Sequence, residues 1–353
     1  MNEALRMVRV GAALLVAAVI GGQPGGVRAE TPAAAPGSGS GAACAFEGLA
    51  TLPPDLFIED LPAGGKVIGR FTGGPTALRV SAFPPAGALG RARVATGTGT
   101  GSFRLVGYAQ ADRIPLFATQ PLPVVPGHLW IGDQREVRVV GSRGDRLEVE
   151  LRLTEPFRQD FRTETSCATL SLAAGTPAGW DVPGDARGYV VAADQIELYD
   201  QPGRDRALVT VLSFANGTLL WSREAQDGFV HVEYHGGIVI DAWAKERHLR
   251  ALPPGETRDA AAPPRRQPGT PQLRMDDIPR EIVTRKEVSL RSGAAESAPV
   301  IGAIEPNTRT YVLDVVAGWA SVLPRSLHVA PPDQGQFWAS ATELGLRKPA
   351  ARR

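Results

Sequence analysis

The chain has 353 residues, 43% of them hydrophobic, and its 38 basic side chains almost balance its 37 acidic ones. Nucleic-acid binding depends largely on neutralised phosphates, so a nearly neutral chain without a basic stripe is a poor candidate for a nucleic-acid partner. The length and hydrophobic content are sufficient for several small cores.

Residues 1–29 are predicted to be a secretory signal peptide. Arg6 and Arg9 precede an apolar run from Val10 to Ile20, and Ala29 provides a small residue at the cut site. The run is shorter than the roughly 20 residues of a membrane span, and an uncleaved anchor is the alternative. We therefore expect a periplasmic or secreted protein that is not an integral membrane protein after signal cleavage.

Residues 30–50 are predicted to be a disordered leader that contains Cys44. Their Ala, Pro, Gly and Ser content leaves little apolar surface to bury. Cys44 and Cys167 are the only cysteines, and in an oxidising compartment two lone cysteines most simply form one disulfide. That bond would join the leader to the second module described below. The alternative, a catalytic thiol, requires a nearby base, and no histidine lies near Cys167 in the sequence.

Three landmarks recur four times along the rest of the chain, always in the same order. Each copy has a strand that ends in an anchor residue, then a glycine, then a Leu-rich turn. The anchors are Phe57, Phe117, Tyr199 and Arg291, and the glycines are Gly90, Gly144, Gly228 and Gly318. The anchor and the glycine are 27 to 33 residues apart in every copy. This regular spacing indicates tandem modules, at 51–113, 114–173, 189–252 and 282–346, with a linker at 253–281.

Short strands dominate every module. In the third module, Gln195 to Tyr199 begins a series of runs of five to seven residues that are rich in β-branched and aromatic side chains and bounded by Asp-Gly, Asn-Gly or Gly-Gly. Five such strands in about 60 residues close as a small barrel or as two tightly packed sheets. The sequence therefore predicts an all-β protein in which a short 3₁₀ turn closes each module.

The third and fourth modules resemble the bacterial Src-homology-3-like domain. Gly318-Trp319-Ala320-Ser321-Val322 matches the Gly-Trp pair that opens a middle strand in that family, and Gly228 begins the corresponding run with Phe in place of Trp. Trp243-Ala244 and Trp338-Ala339 match its closing element. The second module departs most from the pattern. The resemblance implies three to four tandem small Src-homology-3-like β-barrels joined by Pro/Gly-rich linkers.

Seven aromatic residues are the ligand-binding candidates that this resemblance implies, because ligands of the family lie in aromatic grooves between variable loops. They are Tyr199, Trp221, Tyr234 and Trp243 in the third module, and Tyr311, Trp319 and Trp338 in the fourth. The alternative is that these rings mainly pack the barrel cores and ends. Trp221 is the best candidate for exposure, because the polar run Ser222-Arg223-Glu224 follows it.

His231-Val232-Glu233-Tyr234-His235 is the one cluster of metal-ligating residue types. On a strand, His231, Glu233 and His235 share one face and could meet a zinc ion. The preferred interpretation is a solvated face, with Val232 and Tyr234 directed toward the core. We predict no metal, no cofactor and no catalytic residue, because no nucleophile, base and acid pattern stands out.

These observations predict an exported, non-enzymatic binding protein. The resemblance implies that its ligand belongs to the cell envelope, as a cell-wall peptide or an envelope protein, and several modules on one chain would bind by multivalency. One alternative is a structural or accessory subunit of an envelope complex. A second alternative is a wall-associated hydrolase, although the modules and linkers leave little room for a catalytic domain.

Overall fold

The computed structural model describes residues 43–86, 90–97, 102–151, 160–193, 195–212, 218–253, 256, 279–325, 328–332 and 335–346. The predicted signal peptide, residues 30–42 of the predicted leader and most of the predicted linker at 253–281 lie outside these ranges. Within these ranges, no helix is long and apolar enough to cross a membrane.

The strands follow one another in four groups. The first group is β1 (Ala45–Thr51), β2 (Phe57–Glu59), β3 (Val67–Phe71), β4 (Pro75–Ser81), β5 (Arg91–Thr96) and β6 (Phe103–Gln110). The second is β7 (Leu116–Ala118), β8 (Leu122–Val125), β9 (Leu129–Ile131), β10 (Glu136–Arg143), β11 (Arg146–Leu151), β12 (Arg162–Ser166) and β13 (Leu170–Ser171). The third is β14 (Arg187–Val191), β15 (Gln195–Tyr199), β16 (Val209–Leu212), β17 (Leu219–Gln226), β18 (Phe229–His235), β19 (Ile238–Lys245) and β20 (Leu249–Ala251). The fourth is β21 (Arg280–Val283), β22 (Val288–Arg291), β23 (Val300–Ile304), β24 (Arg309–Val316), β25 (Trp319–Pro324), β26 (Val329–Ala330) and β27 (Phe337–Ser340).

The helical segments in the described ranges are three single 3₁₀ turns, at Ala111–Arg113, Cys167–Thr169 and Glu246–His248. The all-β fold class is therefore confirmed. Side chains alternate along the strands as the period of two requires, and in β6 the buried Phe103 and Leu105 alternate with the less buried Arg104 and the exposed Val106. Burial of the alternate apolar side chains is what holds each strand in its sheet.

The strands form three antiparallel sheets. The first has the order β1-β4-β5-β6-β23-β22-β27-β25-β24-β21, with β2, β3 and β26 attached to it. The second has the order β12-β11-β10-β7-β13. The third has the order β16-β15-β19-β18-β17-β14-β20, and the β8–β9 hairpin joins it at β19.

Two of these sheets cross the module boundaries that the sequence predicts. In the first sheet β6 pairs with β23, where Leu105 lies opposite Gly302. A β-carbon at Gly302 would lie 2.0 Å from the carbonyl oxygen of Arg104, so this strand contact needs glycine. In the third sheet β9 pairs with β19, where Leu129 lies opposite Ile240. The buried side chains form one continuous cluster, and the tandem barrels stay a prediction.

The same backbone hydrogen bond recurs in all four strand groups. It joins the first residue of the closing turn to the recurring glycine or, in the second group, to the residue after that glycine. The amides donate as follows: Ala111 to Gly90 O at 3.1 Å, Cys167 to Asp145 O at 3.3 Å, Glu246 to Gly228 O at 2.9 Å and Ala341 to Gly318 O at 2.9 Å. The first three donors begin the 3₁₀ turns. The predicted closing 3₁₀ turn is therefore confirmed in three groups, and a turn at residues 341–345 takes its place in the fourth.

Three of the recurring glycines, Gly144, Gly228 and Gly318, sit in two-residue hairpin turns, and two of these turns have positive φ at both central residues. Asp227 and Gly228 have φ values of 52° and 77°, and Ala317 and Gly318 have φ values of 50° and 88°. Positive φ at both central residues is the signature of a type I′ turn, whose twist matches that of the flanking strands. Glycine is favoured at the second central position, where φ reaches 77° and 88°, because it has no β-carbon to clash there.

Cys44 and Cys167 form the predicted disulfide, with their Cα atoms 5.7 Å apart across 123 residues of sequence. The bond joins the residue before β1 to a 3₁₀ turn of the second group. The sequence places residues 45–50 in the leader, whereas the structure shows them as β1, paired with β4 along its whole length. Burial of Phe46 and Ala50 stabilises this strand, and the neighbouring Ala/Gly-rich composition hides the alternation in the sequence.

Candidate functional site

The outer face of the third sheet carries most of the predicted binding residues of the third module. Val230 and Val232 of β18 are fully buried beneath the sheet, so Phe229, His231 and Glu233 project to the opposite side. The same alternation along β19 buries Ala242 and Ala244 and turns the residues between them outward. We call this opposite side the outer face.

The first row of side chains on the outer face is centred on Trp243. Tyr199 of β15 lies opposite Trp243 on one side, and His231 of β18 lies opposite it on the other. The rings of Trp243 and His231 stack with centroids 5.0 Å apart and an interplanar angle of 29°. His231 Nε2 is 2.7 Å from Asp241 Oδ1, which fixes the imidazole. The row therefore presents an ordered aromatic surface that remains partly exposed at Trp243.

A charged cluster closes the Tyr199 end of this row. Lys245 Nζ and the Tyr199 hydroxyl both donate to Glu197 Oε2, at 2.7 Å and 2.6 Å. The ammonium also lies 5.0 Å from the centre of the Tyr199 ring. The hydrogen bond from Lys245 lowers the pKa of Glu197, and the same bond raises the pKa of Lys245. Burial raises the pKa of Tyr199, so its hydroxyl stays a donor at neutral pH.

The second row crosses the same face one step along the strands. Asp241 lies opposite Glu233, Glu233 lies opposite Trp221, and Trp221 lies opposite Gly188 of β14. Arg223 approaches Glu233 at 3.2 Å. The contact between His231 and Asp241 links this row to the first one. Together the two rows cover five neighbouring strands.

The second row ends in a cleft of about 520 Å³ beside Trp221. The half-buried Trp221 lines it, and a β-carbon at Gly188 would lie 3.5 Å from Trp221 Cζ3. Two turns line the cleft: the Ala186 amide donates to Pro183 O at 2.9 Å, and the Glu256 amide donates to Pro253 O at 3.1 Å. The remaining lining residues are Val182, Gly184, Asp185 and Arg187.

A related arrangement recurs in the fourth strand group. Arg291 lies opposite Trp338, as Tyr199 lies opposite Trp243, and Ser321 lies opposite Trp338 where the third group has His231. The Arg291 guanidinium lies 5.6 Å from the centre of the Trp319 ring. It also donates to the carbonyl oxygens of Glu296 and Ala298, each at 2.7 Å. Trp319 and Trp338 are both partly exposed, and the Arg291 guanidinium lies near the Trp319 ring.

The structure separates the other two predicted residues from these groups. Tyr234 belongs to the opposite face of β18 and packs against the core. Tyr311 lies between Glu281 and Leu323 on neighbouring strands. Of the seven predicted aromatics, only Tyr199 is fully buried, and the other six keep partial exposure.

The two histidines of the possible zinc cluster, His231 and His235, contact different side chains. His231 contacts Asp241, whereas the His235 ring stacks on Trp180 with centroids 4.2 Å apart and an angle of 11°. Burial lowers the pKa of His235. Val232 is buried and Tyr234 packs against the core, as the preferred interpretation of this strand predicts. Among the residues that the structure describes, no group of three or more His, Cys, Asp and Glu side chains is placed to hold a metal ion.

Several polar residues of the outer face and its cleft were missed by the sequence reasoning. They are Glu197, Asp241 and Lys245 on the strands, and Asp185 and Glu256 in the two turns. The alternation of Asp241, Trp243 and Lys245 along one strand is a signal that could have identified part of this set. The two turns are far apart in sequence, so their convergence on Trp221 has no local signal.

Comparison with known proteins adds no family assignment. The chain matches no protein-family model, and no curated protein or solved structure matches it.

Proposed function

We propose that this chain is an exported, non-enzymatic binding protein that recognises an extended ligand of the cell envelope, such as a cell-wall peptide, through the outer face. The ligand class follows from the resemblance to the bacterial Src-homology-3-like domain. Support comes from the combination of partly exposed aromatic rings with fixed charges, which is typical of peptide-binding grooves.

The dimensions of the outer face suit an extended peptide. Neighbouring strands lie about 4.8 Å apart, so the four steps from β15 to β14 cover roughly 19 Å. An extended peptide rises about 3.3 Å per residue, so roughly six residues span this distance. Ordered partners hold the aromatic and charged side chains of the first row, which reduces the entropy that binding would cost.

The single observation that carries the proposal is the cleft beside Trp221. The half-exposed Trp221 lines this cleft together with Pro183 and Pro253. An aromatic residue that only packed a core would not line a cleft of about 520 Å³. Aromatic residues in such positions often dominate the energy of an interface.

Sedimentation with purified peptidoglycan tests the proposal. The wild-type protein is expected in the pellet, and Trp221→Ala is expected to weaken retention by about thirtyfold, because an aromatic anchor contributes on the order of 2 kcal/mol. Phe57→Ala is the matched control, because Phe57 is an exposed aromatic residue of β2 outside the candidate site. Recovery of the wild-type protein in the supernatant would refute wall binding.

A second candidate function, an accessory subunit of an envelope complex, is favoured by one apolar hairpin. Leu313, Val315 and Val316 near the tip of β24–β25 are all exposed. The corresponding tip of β17–β18 carries Arg223, Glu224, Ala225 and Gln226. A photo-crosslinking residue at 316 should give one discrete protein adduct in cells if this function is correct, and the same residue at 224 should give none.

A further inference from the structure

We infer that the cleft beside Trp221 binds a primary ammonium group on its peptide ligand. The inference rests on the proposed function, because it specifies the chemistry of the ligand at that site. The inference follows from three observations on the described residues that line the cleft. They are the charges of Asp185 and Glu256, the contacts of Arg187, and the presence of the Trp221 indole.

The two turns that line the cleft each contribute a carboxylate. Asp185 lies in the turn that begins at Pro183, and Glu256 ends the turn that begins at Pro253. Both side chains are exposed, so both are available to a ligand. Within the described part of the chain, neither carboxylate forms an ion pair. The cleft is therefore flanked by two negative charges.

Among the described residues that line the cleft, Arg187 is the one basic residue, and it contacts two other groups. Arg187 Nε donates to the carbonyl oxygen of Leu252 at 3.4 Å, and its guanidinium lies 5.7 Å from the centre of the Tyr189 ring. Arg187 is therefore directed to the β14–β20 strand pair. The charge of the cleft favours a cationic ligand, because two carboxylates face one engaged guanidinium.

The indole favours the same ligand. A cation over the face of tryptophan is attracted by the ring quadrupole, and tryptophan is the strongest of the aromatic side chains in this interaction. Trp221, Asp185 and Glu256 all line this cleft, so a cation bound in it would have the ring and both carboxylates around it. A primary ammonium fits this arrangement, because its three donors can serve two carboxylates from one compact charge.

Calorimetry with two soluble peptides tests the inference. The probes are an N-terminally acetylated alanine tetrapeptide in which one residue is lysine, and the same peptide with the lysine side chain also acetylated. The wild-type protein should bind the first peptide about tenfold more tightly. Asp185→Asn and Glu256→Gln should each reduce its affinity by about threefold and leave the acetylated peptide unchanged, because threefold corresponds to about 0.65 kcal/mol, a typical contribution of one exposed ion contact.

Glu246→Gln is the matched control, since Glu246 is an exposed carboxylate of the same strand group outside the cleft. Unchanged thermal unfolding of each variant confirms that the fold is intact. Equal binding of the two peptides, or equal loss in the control variant, would overturn the inference. If wild-type protein is retained on peptidoglycan in a Trp221-dependent manner but does not discriminate between the peptides, the proposed function stands and the ammonium inference fails. If it discriminates between them but is not retained, wall binding fails and the ammonium site stands.

Discussion

Tyr199 lies directly opposite Trp243 on neighbouring antiparallel strands, and the Tyr199 hydroxyl donates to Glu197, which also accepts a hydrogen bond from Lys245. The aromatic row of the outer face thus ends in a charged cluster that holds one of its rings. The order of this surface depends on an ion pair as well as on packing.

Stability should therefore depend on pH through Glu197 and Lys245. The lowered pKa of Glu197 means that its contribution is present above the ordinary glutamate value of about 4.3 and is lost as pH falls through the folded value. The raised pKa of Lys245 means that its contribution is present below about 10.4 and is lost above the folded value. The Tm difference between wild type and Glu197→Gln should be constant from about pH 5 to 10 and shrink at both extremes. A Tm difference at pH 3 as large as the difference at neutral pH would contradict this assignment.

The disulfide should stabilise the fold substantially, because it closes a loop of 123 residues between Cys44 and Cys167. The chain-entropy description gives a contribution on the order of 4 kcal/mol for a loop of this size. Urea unfolding of the double variant Cys44→Ala/Cys167→Ala should show this loss. Reductant should lower the stability of the wild-type protein to the same level and leave the variant unaffected. Equal stability of oxidised and reduced wild-type protein would count against the disulfide.

Glu150 should be a stability determinant of the second sheet. Its side chain is 1% exposed and lies between Arg138 on β10 and Arg162 on β12, with Arg162 Nε 2.5 Å from Glu150 Oε2. Glu150→Gln should cost about 1 to 3 kcal/mol in urea unfolding, because it weakens two charge-assisted hydrogen bonds. Arg138→Gln should cost more than Arg162→Gln, since the side chains are 38% and 55% exposed. A larger loss of stability for Arg162→Gln would show that the exposed fraction of each arginine does not determine how strongly it interacts with Glu150.

His235 should titrate below its ordinary pKa. Burial against Trp180 is the main cause, while the nearby carboxylates Glu233, Asp241 and Asp133 act in the opposite direction. Because the folded value is lowered, the contribution of His235 to stability is present above about pH 6.5 and is lost as pH falls below it. Proton NMR of the His235 ring, assigned with His235→Gln, should give a midpoint below 6.5. A midpoint above 6.5 would show that the carboxylates dominate.

Much of the fold could be predicted where the signals are local. The strand predicted from Gln195 to Tyr199 has those bounds in the structure, and β18 is another of the short runs that the sequence predicts for this module. These strands combine alternation with β-branched and aromatic side chains, and strong turn residues bound them. By contrast, β14 begins inside a Gly/Pro-rich stretch, so composition concealed its start.

The pairings that join distant parts of the chain could not be predicted. The contact of β6 with β23 joins residues nearly two hundred positions apart, and no local pattern encodes such a partner. The binding candidates show the same limit. Trp221 and Trp243 were found by residue type, whereas Asp185 and Glu256 became candidates only because tertiary packing brings two turns together at one cleft.

The central claim is that Trp221 contacts the envelope ligand, and the most direct measurement is the NMR spectrum of the indole N–H groups. The chain has six tryptophans, and Trp221→Phe identifies the resonance of Trp221. Addition of soluble peptide fragments of peptidoglycan should shift this resonance in a saturable manner and should leave that of Trp180 in place. An unchanged Trp221 resonance at saturating ligand would contradict the account.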